Sequence, residues 1–289
     1  MNSRIKLVVT DVDGTFLPKS REFSTATLDA VQRLHAQGIK LVLASSRPPR
    51  GMAHILEDAG ISDPALPLVS MNGALISTLG NTTLFEQQLA SPVLLGIHGA
   101  VKDLLGFGKL NFILLDAKQW WVEDFGHDGK YDELVQREAW SLRMKPLVGR
   151  SNDGKDDILQ RMLQPADKIT LLGMADRVAE AKERITRLYG IDITATSPAN
   201  PKFLDITAAG VHKGTAVERL AEYLKLQREQ VCVIGDGEND VDMFRAVGSE
   251  GLSIAMGHAA EAVCSAARFV TGSQDEDGWV QAMNTYILE

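Results

Sequence analysis

The stretch Ile5-Lys6-Leu7-Val8-Val9-Thr10-Asp11-Val12-Asp13-Gly14-Thr15 decides how the rest of the chain is read. Its first half is a β-branched, apolar run that halts at Asp-Val-Asp-Gly, so Asp11 stands at the C-terminal end of a strand. Working outward, Ser24 to Gln37 carries Leu28, Val31 and Leu34 at helical spacing, with Ser24 as cap and Gly38 as stop. Lys40 to Ala44 reads as a second buried strand, Pro48 to Gly60 as a helix and Leu66 to Ser70 as a third strand. Ala74 to Glu86 reads as a hairpin turning at Gly80-Asn81. Strand, helix, strand, helix predicts a parallel, doubly wound α/β sheet.

The last eighty or so residues repeat the rhythm. Helices are expected at Lys213 to Leu226, around Val241 to Ala246, from Ala259 and from Trp279, and strands at Val231 to Gly235, Leu252 to Met256 and Phe269 to Thr271. The middle differs. Amphipathic helices at Pro92 to Leu105 and Ala175 to Tyr189 are segregated from strands near Gln119 to Val122, Ile169 to Leu172, Ile191 to Thr194 and Phe203 to Ile206, which is α+β texture. The expected organisation is therefore a Rossmann-like core from 1–86 and 209–289, interrupted by an inserted α+β cap at 87–208 that enters and leaves at neighbouring points and acts as a lid. Helix-strand-strand units are expected to recur inside the insert.

At 289 residues with 45% hydrophobic and 24% charged side chains and no low-complexity tract, the chain reads as folded throughout. Its net charge of −8, with no basic run, argues against nucleic acid and anionic membranes as partners. The apolar run before Asp11 is too short for a signal-peptide core or a membrane span, making the cytoplasm the expected compartment. Cys232 and Cys264 lack any C-x-x-C or Cys/His neighbourhood and read as buried thiols.

In open parallel sheets, ligands sit at the carboxyl ends of the strands, and the polar residues of this chain collect there. Asp11 and Asp13 end the first strand, Ser45, Ser46 and Arg47 the second, Asn72-Gly73 the third, and Asp236, Asn239 and Asp240 a later one. Asp11, Asp13, Asp236 and Asp240 brought together repel one another unless a cation or shared proton relieves them. Oxygen ligands without clustered His or thiolate favour Mg²⁺ over zinc, so the pattern predicts a phosphate-handling metal site. Asp-x-Asp-Gly-Thr alone is better read as a capped strand-to-helix turn. Its force comes from Lys213-Gly214 and Gly235-Asp236-Gly237-Glu238-Asn239-Asp240 following in the order that one sheet requires.

With these motifs the sequence resembles, over its whole length, the haloacid dehalogenase superfamily, and within it the Cof-like phosphatases with a type IIB cap. Asp11-Val12-Asp13-Gly14-Thr15 matches the first motif, Ser45 the second, Lys213 the third and Gly235-Asp236 through Asn239-Asp240 the fourth. Asn72-Gly73-Ala74 and Gly210-Val211-His212-Lys213-Gly214 match further Cof-type signatures. The resemblance implies a phosphoric monoester hydrolase in which Asp11 attacks phosphorus and Asp13 serves as general acid, then base. It implies that Ser45 and Lys213 hold the phosphoryl oxygens, with Mg²⁺ on Asp11, the Asp13 carbonyl and Asp236. Asp240, grouped with these metal-site carboxylates, is expected with Asn239 to orient Lys213 or a metal-bound water. Ser46, Arg47, Asn72, Gly73 and Asn239 are the expected substrate-binding residues, and the expected partner is a small phosphorylated metabolite.

The chain departs from the family's usual Ala-Thr-Gly-Arg, reading Ala44-Ser45-Ser46-Arg47, and places His212 where a small polar residue is common. His212 reads as a turn residue. Of Trp120 and Trp121, adjacent on a strand, one is expected to pack and the other to be partly exposed. Asp275-Glu276-Asp277 reads as the charged start of the last helix. Two rival functions follow the same motifs: a phosphomutase, distinguished by isomer formation, and a phospho-ligand sensor, which has no need of Asp13 as proton donor.

Overall fold

The computed structural model describes residues 5–123, 133–142, 147–148, 157–197 and 200–288. Two compact units result, 1–45 with 52–84 and 212–289, and 46–51 with 85–211. The outer boundaries of the units fall at 84/85 and 211/212. The segment Ser46–Gly51, expected in the core, groups with the second unit.

The first unit begins with β1 (Leu7–Thr10), α1 (Thr25–Ala36), β2 (Lys40–Leu43), α2 (Arg50–Asp58), β3 (Pro67–Ser70), β4 (Leu75–Thr78) and β5 (Thr83–Glu86). Ser24 caps α1, its side chain accepting from the N–H of Thr27 at 3.1 Å. The second unit contains α3 (Ser91–Val101), β6 (Leu110–Leu115), β7 (Trp120–Val122), α4 (Glu133–Ser141), β8 (Leu147–Val148), α5 (Asp157–Arg161), β9 (Lys168–Gly173), α6 (Ala175–Tyr189), β10 (Ile193–Thr196) and β11 (Phe203–Ala208). The chain then returns to the first unit with α7 (Lys213–Tyr223), β12 (Val231–Gly235), α8 (Val241–Val247), β13 (Leu252–Ala255), α9 (Glu261–Ala266), β14 (Phe269–Val270) and α10 (Gly278–Tyr286).

In the first unit a wholly parallel sheet runs β14-β13-β12-β1-β2. Leu7, Val8 and Val9 of β1 are completely buried, as expected of a strand covered on both faces. Chain order advances from β1 to β2 in one direction and from β12 to β14 in the other, so the sheet reverses between β12 and β1. That reversal leaves a crevice at the strands' carboxyl ends. Thr10 pairs with Ile234 on one side and Leu43 on the other, which brings Asp11 level with the residues that follow β12 and β2.

β3, expected as a third strand of this sheet, lies parallel beside the end of β2 and also pairs antiparallel with β4, which β5 extends. Among the described residues it meets the parallel sheet through the parallel bridge Ala44↔Val69, with the Ser45 N–H donating to the Val69 carbonyl at 3.0 Å. The hairpin after it is as expected, turning at Asn81 with φ 66°. The second unit is an α+β layer whose sheet runs β10-β11-β9-β6-β7-β8, antiparallel except for β7–β8. Helix-strand-strand units recur in it as α3-β6-β7 and α6-β10-β11. Trp120 is buried and Trp121 half-buried, in keeping with alternation along β7.

Two expectations need correction. Asp275 and Glu276 lie in a separate 3₁₀ turn, Gln274–Glu276, and Asp277 takes a left-handed φ of 54° before α10 begins at Gly278. Their charge is satisfied locally, by Lys19 at 2.7 Å from Asp275 and by the N–H and hydroxyl of Ser273 on Glu276. Cys232 is buried, but Cys264 is only half-buried.

Candidate active site

Backbone hydrogen bonds assemble the site from the strand ends. The Asp11 N–H donates to the Ile234 carbonyl at 2.9 Å, the Ala44 N–H to Thr10 at 2.8 Å and the Asn72 N–H to Ser45 at 3.0 Å. Asn72 sits at φ 55° between Met71 at 52° and Gly73 at 99°. This left-handed run is sterically costly for the two non-glycine residues. Gly73 is required there, because a Cβ would lie 2.7 Å from the His212 carbonyl oxygen. That contact seats the 71–73 turn against the start of α7.

His212 is the N-cap of α7. Its Nδ1 accepts from the Thr215 N–H at 3.3 Å, while its own N–H donates to the Thr215 hydroxyl. It is thus the turn residue expected, with an identifiable job. The cap fixes Lys213 as the first helical residue, where the helix dipole disfavours a cation. What holds it is charge: Lys213 Nζ lies 2.5 Å from Asp11 Oδ1 and 2.7 Å from Asp240 Oδ1, all three groups being buried. Burial works against the Lys213 charge, but the two carboxylates outweigh it and hold its pKa above the ordinary lysine value.

Asp240 spends both oxygens on this architecture, since Oδ2 also accepts from the N–H groups of Asp236 (3.0 Å) and Gly237 (2.9 Å). Asp236 Oδ1 accepts the Thr15 hydroxyl at 2.8 Å, and Asn239 donates from Nδ2 to Asn72 Oδ1 at 3.3 Å. One oxygen from each of Asp11, Asp236 and Asp240 can be chosen so that all three lie within 4.8 Å of one another. Burial, with Asp240 and Asp236 nearby, pushes the Asp11 carboxyl well up despite Lys213. Burial and Asp240 also push Asp236 up. One lysine does not balance these carboxylates, so the donor set fits a hard divalent cation bound by oxygen.

Asp13, two residues past Asp11, is exposed, and Ser45 is buried. The structure therefore brings Asp11, Lys213, Asp236 and Asp240 together, with Asn72 and Asn239 paired beside them. Ser46 and Arg47 make their described contacts in the second unit: the Ser46 carbonyl accepts from Lys168 Nζ at 2.8 Å, and Arg47 donates to Ser141 O and Oγ. There they line a cavity of about 40 Å³ with Trp120, Lys168, Thr170 and Asp205. Two neighbours of the carboxylates were missed from sequence. Thr15 lies inside the quoted motif, and His258, with Nε2 at 3.5 Å from Asp236 Oδ2, follows the end of β13. The signal available was the same one that found the others, a polar residue just past a strand's carboxyl end.

Comparison with known proteins matches residues 8–283 to the family model of haloacid dehalogenase-like hydrolases. A 5-amino-6-(5-phospho-D-ribitylamino)uracil phosphatase of Bacillus subtilis (strain 168) is 24% identical over 284 residues, covering 98% of this chain and 96% of that one. Among solved structures, a haloacid dehalogenase-like hydrolase from Bacteroides thetaiotaomicron is 29% identical with a TM-score of 0.78, covering 97% and 98% of the two chains. A subclass IIB sugar phosphatase of the same superfamily shares the fold at 22% identity, TM-score 0.77, covering 96% and 98%.

Proposed function

The chain belongs to the haloacid dehalogenase-like hydrolases, in their Cof-like group, and on that premise we propose that it is a Mg²⁺-dependent phosphatase of a small phosphorylated metabolite acting through a phosphoaspartate on Asp11. Phosphatase activity is the family's reaction here; the metal, the route and the substrate class are the proposal. The observation that carries it is the buried cluster in which Asp11 and Asp236 are pushed towards protonation while Lys213 remains the cation between Asp11 and Asp240.

Both oxygens of Asp240 already serve donors, so Asp11 and Asp236 are the carboxylates available to a cation, with the Asp13 carbonyl added by family resemblance. Bound there, Mg²⁺ would offset the carboxylate charge and draw electron density from the phosphoryl oxygens. Lys213 works against the burial that raises the Asp11 pKa and presents positive charge to the same oxygens. The Asp11 carboxylate forms a bond to phosphorus as the bond to the leaving oxygen breaks, and the Asp13 carboxyl gives that oxygen its proton. The Asp13 carboxylate then takes a proton from water, whose oxygen attacks phosphorus, releasing inorganic phosphate and restoring Asp11. An exposed Asp13 beside buried partners suits that exchange with solvent. Sugar phosphates and phospho-ribitylamino-uracils are the substrate classes that the relatives recommend.

The test is phosphate release from a panel of such esters with and without Mg²⁺, beside Asp11→Asn. Mg²⁺-dependent release by the wild type, reduced by at least ~10³-fold in the variant, is expected. A folded, Mg²⁺-loaded wild type that released no phosphate but interconverted phosphosugar isomers would replace the phosphatase by a phosphomutase.

A further inference from the structure

His258 takes no part in the chemistry above, yet its ring stands against the acidic cluster. It follows β13 on a loop with a fixed backbone. The Met256 N–H donates to the Gly235 carbonyl, the Gly257 N–H to Gly272 and the Ala259 N–H to Met256, each at 3.0 Å. A Cβ at Gly257 would lie 2.6 Å from the Thr271 carbonyl oxygen, so glycine lets the loop close on the 271–273 segment. From that side the Gln274 N–H donates to His258 Nδ1 at 3.2 Å. An N–H can donate only to a lone pair, so Nδ1 carries no hydrogen and the neutral ring carries its hydrogen on Nε2.

That Nε2 is 3.5 Å from Asp236 Oδ2, close enough to address this oxygen but longer than a formed hydrogen bond. The other oxygen of the same carboxylate, Oδ1, accepts the Thr15 hydroxyl. Thr15 therefore holds one oxygen of Asp236, and the His258 ring stands beside the other. The Gln274 side chain meanwhile donates from Nε2 to the Leu17 carbonyl at 2.6 Å, tying the turn that fixes the histidine to the segment following Asp13.

We propose that His258 is a positioning residue of the cation site: as a neutral ring with Nε2–H directed at Asp236 Oδ2, it fixes the plane in which Asp236 receives a divalent cation. This rests on the metal reading given above. Partners one step removed from a metal orient its ligands, and their loss typically costs ~10–100-fold in metal affinity.

The experiment is titration calorimetry of Mg²⁺ into the full-length wild type, His258→Ala, His258→Gln and Asp236→Asn, with metal-free thermal midpoints as the folding check. Glutamine restores an N–H donor at similar reach. His258→Ala is expected to weaken Mg²⁺ binding by ~10-fold or more and His258→Gln to stay within ~3-fold of wild type. The Mg²⁺ concentration giving half-maximal phosphate release should rise in His258→Ala, with the rate recovering at saturating Mg²⁺. Equal affinity in wild type and His258→Ala would overturn the assignment, as would equal weakening in both His258 variants, since the donor would then be irrelevant. A wild type that, like Asp236→Asn, took up no Mg²⁺ would bring down the metal reading itself and His258 with it, a result distinct from the other two.

Discussion

Gly14 sits at φ 88°, and a Cβ there would run into the Asp236 carboxylate. Glycine is therefore needed twice, once for a left-handed backbone and once so that the loop after β1 can lie against the residue after β12. Gly14→Ala is expected to cost about 1–3 kcal/mol of stability and to weaken Mg²⁺ uptake by displacing Asp236, checked by thermal midpoint and calorimetry on the same sample. The motif Asp11 to Thr15 announced the carboxylates at this scale, because catalytic and turn-forming residue types are visible as letters. How Asp240 divides its oxygens was not visible, since that depends on the 3₁₀ turn Glu238–Asp240 folding its carboxylate back onto the N–H groups of Asp236 and Gly237. His258 carried the same signal, a polar residue past a strand end, but its approach to Asp236 follows only from β13 lying beside β12.

Among the elements, α7 shows how a cap can serve chemistry. His212→Ala removes the acceptor for the Thr215 N–H at the turn that delivers Lys213. The expected loss is about 1 kcal/mol, a fall of roughly 2–4 °C in Tm for a protein of this size, with His212→Ser recovering most of it in the same thermal scan. Helices with a capping residue and a clear apolar stripe, such as α1, were legible almost to their ends. β6, a central strand of the second unit, was not foreseen. All six of its residues are buried, so Leu110–Leu115 shows neither alternation nor helical spacing. Its one polar member, Asn111, is satisfied by donating to the Leu172 carbonyl at 3.0 Å, a partner distant in sequence. β3 was legible as a third strand beside β2, but its second, antiparallel pairing with β4 was not, because a short apolar strand does not announce every neighbour it takes.

At the scale of the whole molecule the texture of the sequence changes near residues 86 and 209, while the grouping of Ser46–Gly51 with the second unit depends on contacts that no local pattern carries. The two units should respond to different solution variables. Asp167, in the second unit, is fully buried with Oδ1 bonded to Gln88 and Oδ2 without a partner among the described residues. Desolvation, joined by the charges of Glu86 and Asp116, pushes its pKa up to about 7 from the ordinary 3.8. Above about pH 7 the carboxyl is ionised in folded and unfolded chains alike, and folding bears the full cost of burying the charge. As pH falls from about 7 to about 4 the folded unit takes up a proton that the unfolded chain does not, so the cost shrinks and then vanishes. Asp167→Asn should therefore stabilise the second unit at pH 8, on the order of 1–3 kcal/mol, and change little at pH 4. Mg²⁺, taken up by carboxylates of the first unit, should add about 2.7 kcal/mol there at a hundredfold excess over its dissociation constant. Hydrogen exchange followed peptide by peptide separates the two effects: the variant at pH 8 should slow exchange in β6 and β9, whereas Mg²⁺ should slow it in β1 and β12. Slowing in the opposite unit for either perturbation would mean that the carboxylate responsible had been misidentified.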